Sequence, residues 1–217
     1  MATNDIQIAI ATRKYSYTLL AITIFFIATH CALNYYNHEV EEVNWLIFQL
    51  FDLDEENNLP TWFSSFLLLN SSLVMYLVAR INRERKYFHW MLLSIGFLAL
   101  SIDEVAGVHE SIHTAIDFNW AYAGGILVLA LGLCFIPFLL SLDRRLAILF
   151  IISGLIYVSG IIGVELLSED MDEDSMAYGF ATAVEEGLEM LGALLFLAVN
   201  LDELKRQNDT TLTISAR

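Results

Sequence analysis

The chain is short of the residues that break helices and of those that charge a surface. Proline occurs only 2 times, and Asp, Glu, Lys and Arg together make up 17%. Soluble domains carry about a quarter charged residues, so an ordinary water-soluble enzyme is excluded, and a disordered chain more firmly still. With 2 cysteines there is no framework for a disulfide-built secreted module. Basic residues are the scarcest charge, 11 against 26 acidic, giving a formal net charge of -15. Apolar residues fill the space: 57% of 217 positions are hydrophobic types, with a mean hydropathy of +0.57. This is the composition of a polytopic membrane protein.

A membrane-crossing helix needs about 20 mostly apolar residues. Runs of that kind cover 15–36, 60–81, 88–109, 120–142, 146–167 and 178–200. None alternates with the period of a barrel strand. The first is too long for a removable signal peptide and lacks its small-residue cleavage site, so it reads as a retained helix. The expected fold class is therefore all-α, a single domain over 1–217 with six transmembrane helices in one bundle. Orientation follows from the basic residues flanking the runs. Arg13 and Lys14, Arg80 to Lys86, Arg144 and Arg145, and Lys205, Arg206 and Arg217 fall on one side only if the spans number six. Both termini are then cytoplasmic, and a bacterial inner membrane is the expected location.

The opposite side holds no Lys or Arg. Its first loop carries Glu39, Glu41, Glu42, Asp52, Asp54, Glu55 and Glu56, and its last Glu169, Asp170, Asp172, Glu173 and Asp174. Acidic loops translocate easily and stay soluble, and they also set up a field that gathers cations. Nucleic acid and anionic substrates are disfavoured there. Residues 43–51 are apolar but too short to span, so they read as an interfacial helix anchored by Trp45. Pro60 suits the first turn of the second span. Trp45, Trp62, Trp90 and Trp120 stand at expected boundaries, with His89 beside Trp90. The stretch 168–175 has the composition of a calcium loop without its Gly and closing Glu. Cys31 and Cys134 lie at different depths and read as unpaired core residues.

The anomaly is acid inside the apolar runs: Asp103, Glu104, Glu165, Glu185, Glu186 and Glu189, with no Lys or Arg in any span interior. Each central acid costs about 2.5–3.5 kcal/mol on insertion scales. Metal, protons, hydrogen bonds or water must compensate. At a rise of about 1.5 Å per residue, Asp103 lies about 9 Å below the outer end of its helix, and Glu185 and Glu186 about 11–12 Å below theirs. Two antiparallel helices thus bring acids to one level. If the third helix continues past its span, Asp103, His109, Glu110 and His113 share an arc, with Glu104 about 100° away. His30 lies near the same level. Ser159-x-x-x-Gly163 and Ala183-x-x-x-Gly187 are spaced for close helix approach, and Asn70, Ser71 and Ser72 for interhelical hydrogen bonds.

Carboxylate plus imidazole on facing helices is the ligand set of iron, manganese and zinc. The spacing is similar to the ferritin-like dinuclear pattern, in which bridging Glu residues join Glu-x-x-His pairs on bundle helices. It departs from that pattern in having one such pair, Glu110 and His113, opposite Glu186-x-x-Glu189. The expected site is a divalent metal (Fe, Zn or Mn) held among Asp103, His109, Glu110, His113, Glu165, Glu186 and Glu189. Glu104 or Glu185 would serve as general base, with a lipid or other apolar substrate entering from the bilayer. Two other readings stand beside it. One is a proton- or cation-coupled transporter. The other is a non-catalytic assembly or sensor subunit that needs a membrane partner or a second copy of itself.

Overall fold

The computed structural model describes residues 5–8, 11–81, 86–108, 120–207 and 212–215. The chain runs as α1 (Thr12–Glu39), a short α2 (Trp45–Phe51), α3 (Leu59–Ile81), α4 (Tyr87–Ala106), α5 (Trp120–Ser141), α6 (Arg144–Val158), a π-helical segment (Ser159–Val164), α7 (Glu165–Ser168) and α8 (Met176–Gln207). Near the chain ends, β1 (Asp5–Ile8) pairs antiparallel with β2 (Leu212–Ser215), Asp5 opposite Ser215.

Among the described residues, five helices are long and apolar enough to cross a membrane: Thr12–Glu39, Leu59–Ile81, Tyr87–Ala106, Ala121–Ser141 and Arg144–Ser168. The protein is thus a helical multi-pass membrane protein. The remaining long helix, α8, has 32 residues. It falls outside that set because Glu185, Glu186 and Glu189 sit mid-helix, with Asp202, Glu203, Lys205 and Arg206 towards its end. Yet α8 is the centre of the bundle, packed by α1, α3, α6 and the π-helical segment. Met190, Leu197 and Asn200 on it are fully buried. The most apolar helix is the most exposed: only 6% of the apolar stretch of α5 is buried, against 56% for α3. A water-soluble protein does the reverse. Here the polar helix is inside and the apolar ones face out, as a hydrocarbon solvent demands.

Local chemistry sets the element ends. Asn44 opens α2 by accepting from the Leu46 N–H. Asn58 opens α3, accepting from Thr61 N at 3.1 Å, with Pro60 in the first turn. Asp143 opens α6. Gly107, at φ 54 in the left-handed region, closes α4 by donating its N–H to the Asp103 carbonyl at 2.8 Å. That closure differs from the sequence expectation, in which α4 continued through His113 on a single arc.

The α3–α4 hairpin is stitched by serines. Ser65 Oγ donates to the Ser101 carbonyl at 2.8 Å, and Ser101 Oγ to the Ser65 carbonyl at 3.0 Å. Ser72 and Ser94 repeat the exchange one heptad away, at 2.7 and 2.9 Å. Each such bond contributes about 0.6 kcal/mol in a membrane. Trp90, in the first turn of α4, is 1% exposed and edge-on to Phe138 and Phe150. His89 stacks on Phe138 at 5.0 Å. Trp45 and Trp62 are exposed as expected, and the Trp120 side chain lies outside the described residues.

The closest helix approach is between α6 with its π-helical continuation and α8. A Cβ on Gly192 would stand 2.6 Å from the Tyr157 backbone nitrogen, and one on Gly160 2.6 Å from the Glu185 carbonyl oxygen. The small residues singled out in the sequence serve less directly. A Cβ on Gly163 meets only Ser159 of its own turn, and one on Gly187 meets Ile27 of α1. Gly192→Ala should therefore destabilise the protein by about 1–3 kcal/mol, the usual cost of overpacking. Gly132→Ala, with nothing within 4 Å, should leave stability unchanged. Unfolding titrations in mixed micelles measure both.

Candidate functional site

The close approach at Gly160 and Gly192 delivers the Tyr157 hydroxyl of α6 to the acids of α8. The Tyr157 hydroxyl lies beside the Glu189 carboxylate. Glu189 is 7% exposed, and Glu104, Glu185 and Glu165 are its charged neighbours. Glu186 interacts electrostatically with Glu189, Glu104 and Glu185, and more weakly with Asp54. Glu186 and Tyr157 are half-buried. Glu104 of α4 thus stands within electrostatic range of the α8 acids.

Roles expected from sequence shift accordingly. Glu104, assigned as a base set apart from the ligands, lies among the other acids, near Tyr157, Glu186 and Glu189. Asp103 is half-buried in the last turn of α4, and Glu165 is half-buried at the start of α7. His109, Glu110 and His113 lie outside the described residues. The carboxylates are in electrostatic range, which extends further than a coordination shell. Among the described residues, no group of three or more His, Cys, Asp or Glu side chains is placed to hold a metal ion.

Above the acids the two acidic loops meet at one end of the bundle. Tyr178 donates its hydroxyl to Asp54 Oδ1 at 3.0 Å, and Thr182 donates to the same oxygen at 3.4 Å. His30, expected near the site, ties this end together instead. The Leu53 N–H donates to His30 Nδ1 at 3.0 Å, which leaves Nε2 to donate to the Gly179 carbonyl at 2.9 Å. Asp52 Oδ1 lies 3.2 Å from the same Nδ1. The Glu56 carboxylate sits where a Cβ on Gly107 would fall, so the loop also touches the end of α4. Sequence reasoning missed Tyr157, Asp54, Tyr178 and Thr182 as members of this region. A lone tyrosine hydroxyl in the apolar run of α6 was the available signal for Tyr157.

Two groups at this end have shifted affinities for protons. Loss of hydration is the largest influence on Asp54, raising its pKa, and neighbouring Asp52 and Glu173 add to it against the Tyr178 hydrogen bond. His38 presents both ring nitrogens to carbonyls, Nδ1 to Asn34 at 2.8 Å and Nε2 to Asp174 at 3.2 Å. Only the imidazolium donates to both, so its pKa is raised, chiefly by Asn34 and then by Asp174. A raised folded pKa gives stability that is complete below the unfolded value and lost as pH climbs through the folded one. For His38 that loss begins above the ordinary 6.5. The thermal midpoint in detergent should therefore fall as pH rises above 6.5, and His38→Gln should flatten that part of the profile. Asp54→Asn should flatten the acid side, above the ordinary 3.8.

Neither a curated protein nor a solved structure matches the chain. A family model, described as a domain of unknown function (DUF8692), matches residues 18–204. That match runs from within α1 to within α8 and takes in all the acids of the candidate site, and the chain belongs to that family.

Proposed function

We propose that the protein spans the membrane six times and binds a divalent cation, Fe, Mn or Zn, between α4 and α8. Glu104, Glu186 and Glu189 form the centre of this site, with Tyr157 orienting Glu189. Asp103 and Glu165 flank it; His109, Glu110 and His113, assigned as ligands from sequence, lie outside the described residues. Glu185 is the general base of a metal-assisted reaction on a lipid or other apolar substrate. The observation that carries this reading is the meeting of carboxylates from separate helices with no Lys or Arg in any span interior. A cation is the most direct compensation for charge so placed, and hard oxygen donors with imidazole suit these ions. Ligation requires the glutamates to turn inward from their present electrostatic range.

The pairing of β1 with β2 supports six spans, because chain ends lying side by side require an even number of crossings. Charge segregation supports the cytoplasmic termini. Lys86 reaches the Ser141 carbonyl, and Arg145 and Arg206 pair with Asp202 and Asp143, all at the end opposite the acidic loops. Conduction through the bundle is disfavoured. Below Glu189, α8 presents only apolar residues from Met190 to Val199, about 16 Å of rise, before the next polar side chain.

Elemental analysis of the detergent-purified protein tests the reading. Stoichiometric Fe, Mn or Zn is expected, with at least half lost in Glu186→Gln and in Glu189→Gln, and full content kept in Glu169→Gln of the exposed loop. Metal-free protein after purification without chelators, from cells supplied with these metals, overturns it.

A further inference from the structure

At the basic end, far from the acids, a cleft of about 380 Å³ opens between α1, α6 and α8. Its floor is apolar, with Leu146, Leu149, Leu195 and Ala198, and its rim carries both signs of charge. The rim is not evenly satisfied. Arg206 bridges Asp143 at 2.9 Å and Glu203 at 3.0 Å, so it is committed to holding α8 against the start of α6. Arg145 reaches Asp202 only at 3.4 Å, with both side chains largely in the open, a pairing worth little. Arg13, on the α1 wall with Thr12 and Ser16 beside it, forms no ion pair among the described residues. One wall thus offers a spare guanidinium with two hydroxyls, and the other a loosely held carboxylate, over a hydrocarbon floor.

An anionic headgroup would meet Asp143, Asp202 and Glu203 as well as the arginines, so net negative charge is poorly matched. A headgroup carrying both signs matches. We propose that this cleft binds a phospholipid whose headgroup combines a phosphate with a primary ammonium. Arg13, Thr12 and Ser16 take the phosphate. Asp202 takes the ammonium, and an acyl chain lies over Leu146, Leu149 and Leu195. Guanidinium pairs readily with phosphate in bidentate geometry, and a primary ammonium offers three donors where a quaternary one offers none.

Native mass spectrometry of the full chain, titrated in detergent with phosphatidylethanolamine, phosphatidylcholine or phosphatidylglycerol, tests this. Phosphatidylethanolamine should bind about tenfold more tightly than either of the others, the scale of one charge-assisted hydrogen bond. Arg13→Ala, which breaks no ion pair, should remove that preference, and Ala198→Phe should reduce binding of all three by filling the floor. Equal binding of the three lipids overturns the proposal, as does tighter binding of phosphatidylglycerol or an unchanged preference in Arg13→Ala. A thermal shift with inorganic phosphate alone that matches the lipid's would assign the cleft to a soluble anion and overturn it too. None of these outcomes bears on the metal content of the opposite half.

Discussion

Contact between two helix backbones governs the arrangement of this bundle. Gly192 admits the Tyr157 backbone, and Gly160 admits the Glu185 carbonyl, at distances no side chain would allow. That approach carries the Tyr157 hydroxyl to Glu189. In water a buried glutamate would be a local expense, met by a nearby lysine or by solvent. In a hydrocarbon-facing bundle neither is at hand, so the partner must come from another helix and its backbone must come close enough to deliver it. The two glycines and the buried acid therefore belong to one design.

The same solvent explains why the most polar helix is central. α8 carries Glu185, Glu186 and Glu189 on its first half and an ion-paired turn at its end, while α5, the most hydrophobic, stays at the margin. The serine exchange between α3 and α4 follows the same logic on a smaller scale. Hydroxyls that would otherwise face lipid turn onto carbonyls of the neighbouring helix, at two levels a heptad apart. The result is a hairpin whose register is held by polar bonds where apolar packing alone would let it slide.

Much of this was readable from residue types. Apolar runs marked the five apolar helices to within a few residues, since hydrocarbon length and backbone satisfaction leave little freedom. Pro60 marked the start of α3. The acids themselves were conspicuous, but their mutual placement was not. Angular reasoning along α4 assumed an unbroken helix, and Gly107 in its left-handed conformation ended it four residues after Asp103. Glu104, within the unbroken part of α4, stands in electrostatic range of Glu186 and Glu189, a place that its sequence position did not suggest. Trp90 was hidden for a different reason. A tryptophan near a span end fits a boundary and a core equally well until the rings of Phe138 and Phe150 are known to flank it. Tyr157 had no motif at all, because its partner lies on a helix more than thirty residues downstream.

The π-helical segment Ser159–Val164 separates Tyr157 from Glu165 within one continuous rod. Such a widened turn accommodates one residue more than an ordinary α-turn without breaking the rod. Everything beyond it is rotated by about 100° relative to a regular helix, the angle one residue occupies. The direction in which Glu165 leaves the rod is therefore fixed by an insertion several positions earlier. Shortening that segment by one residue would leave the helix spanning and hydrophobic, yet swing the whole acidic-end continuation, from Glu165 to Ser168, about a quarter-turn away from α8.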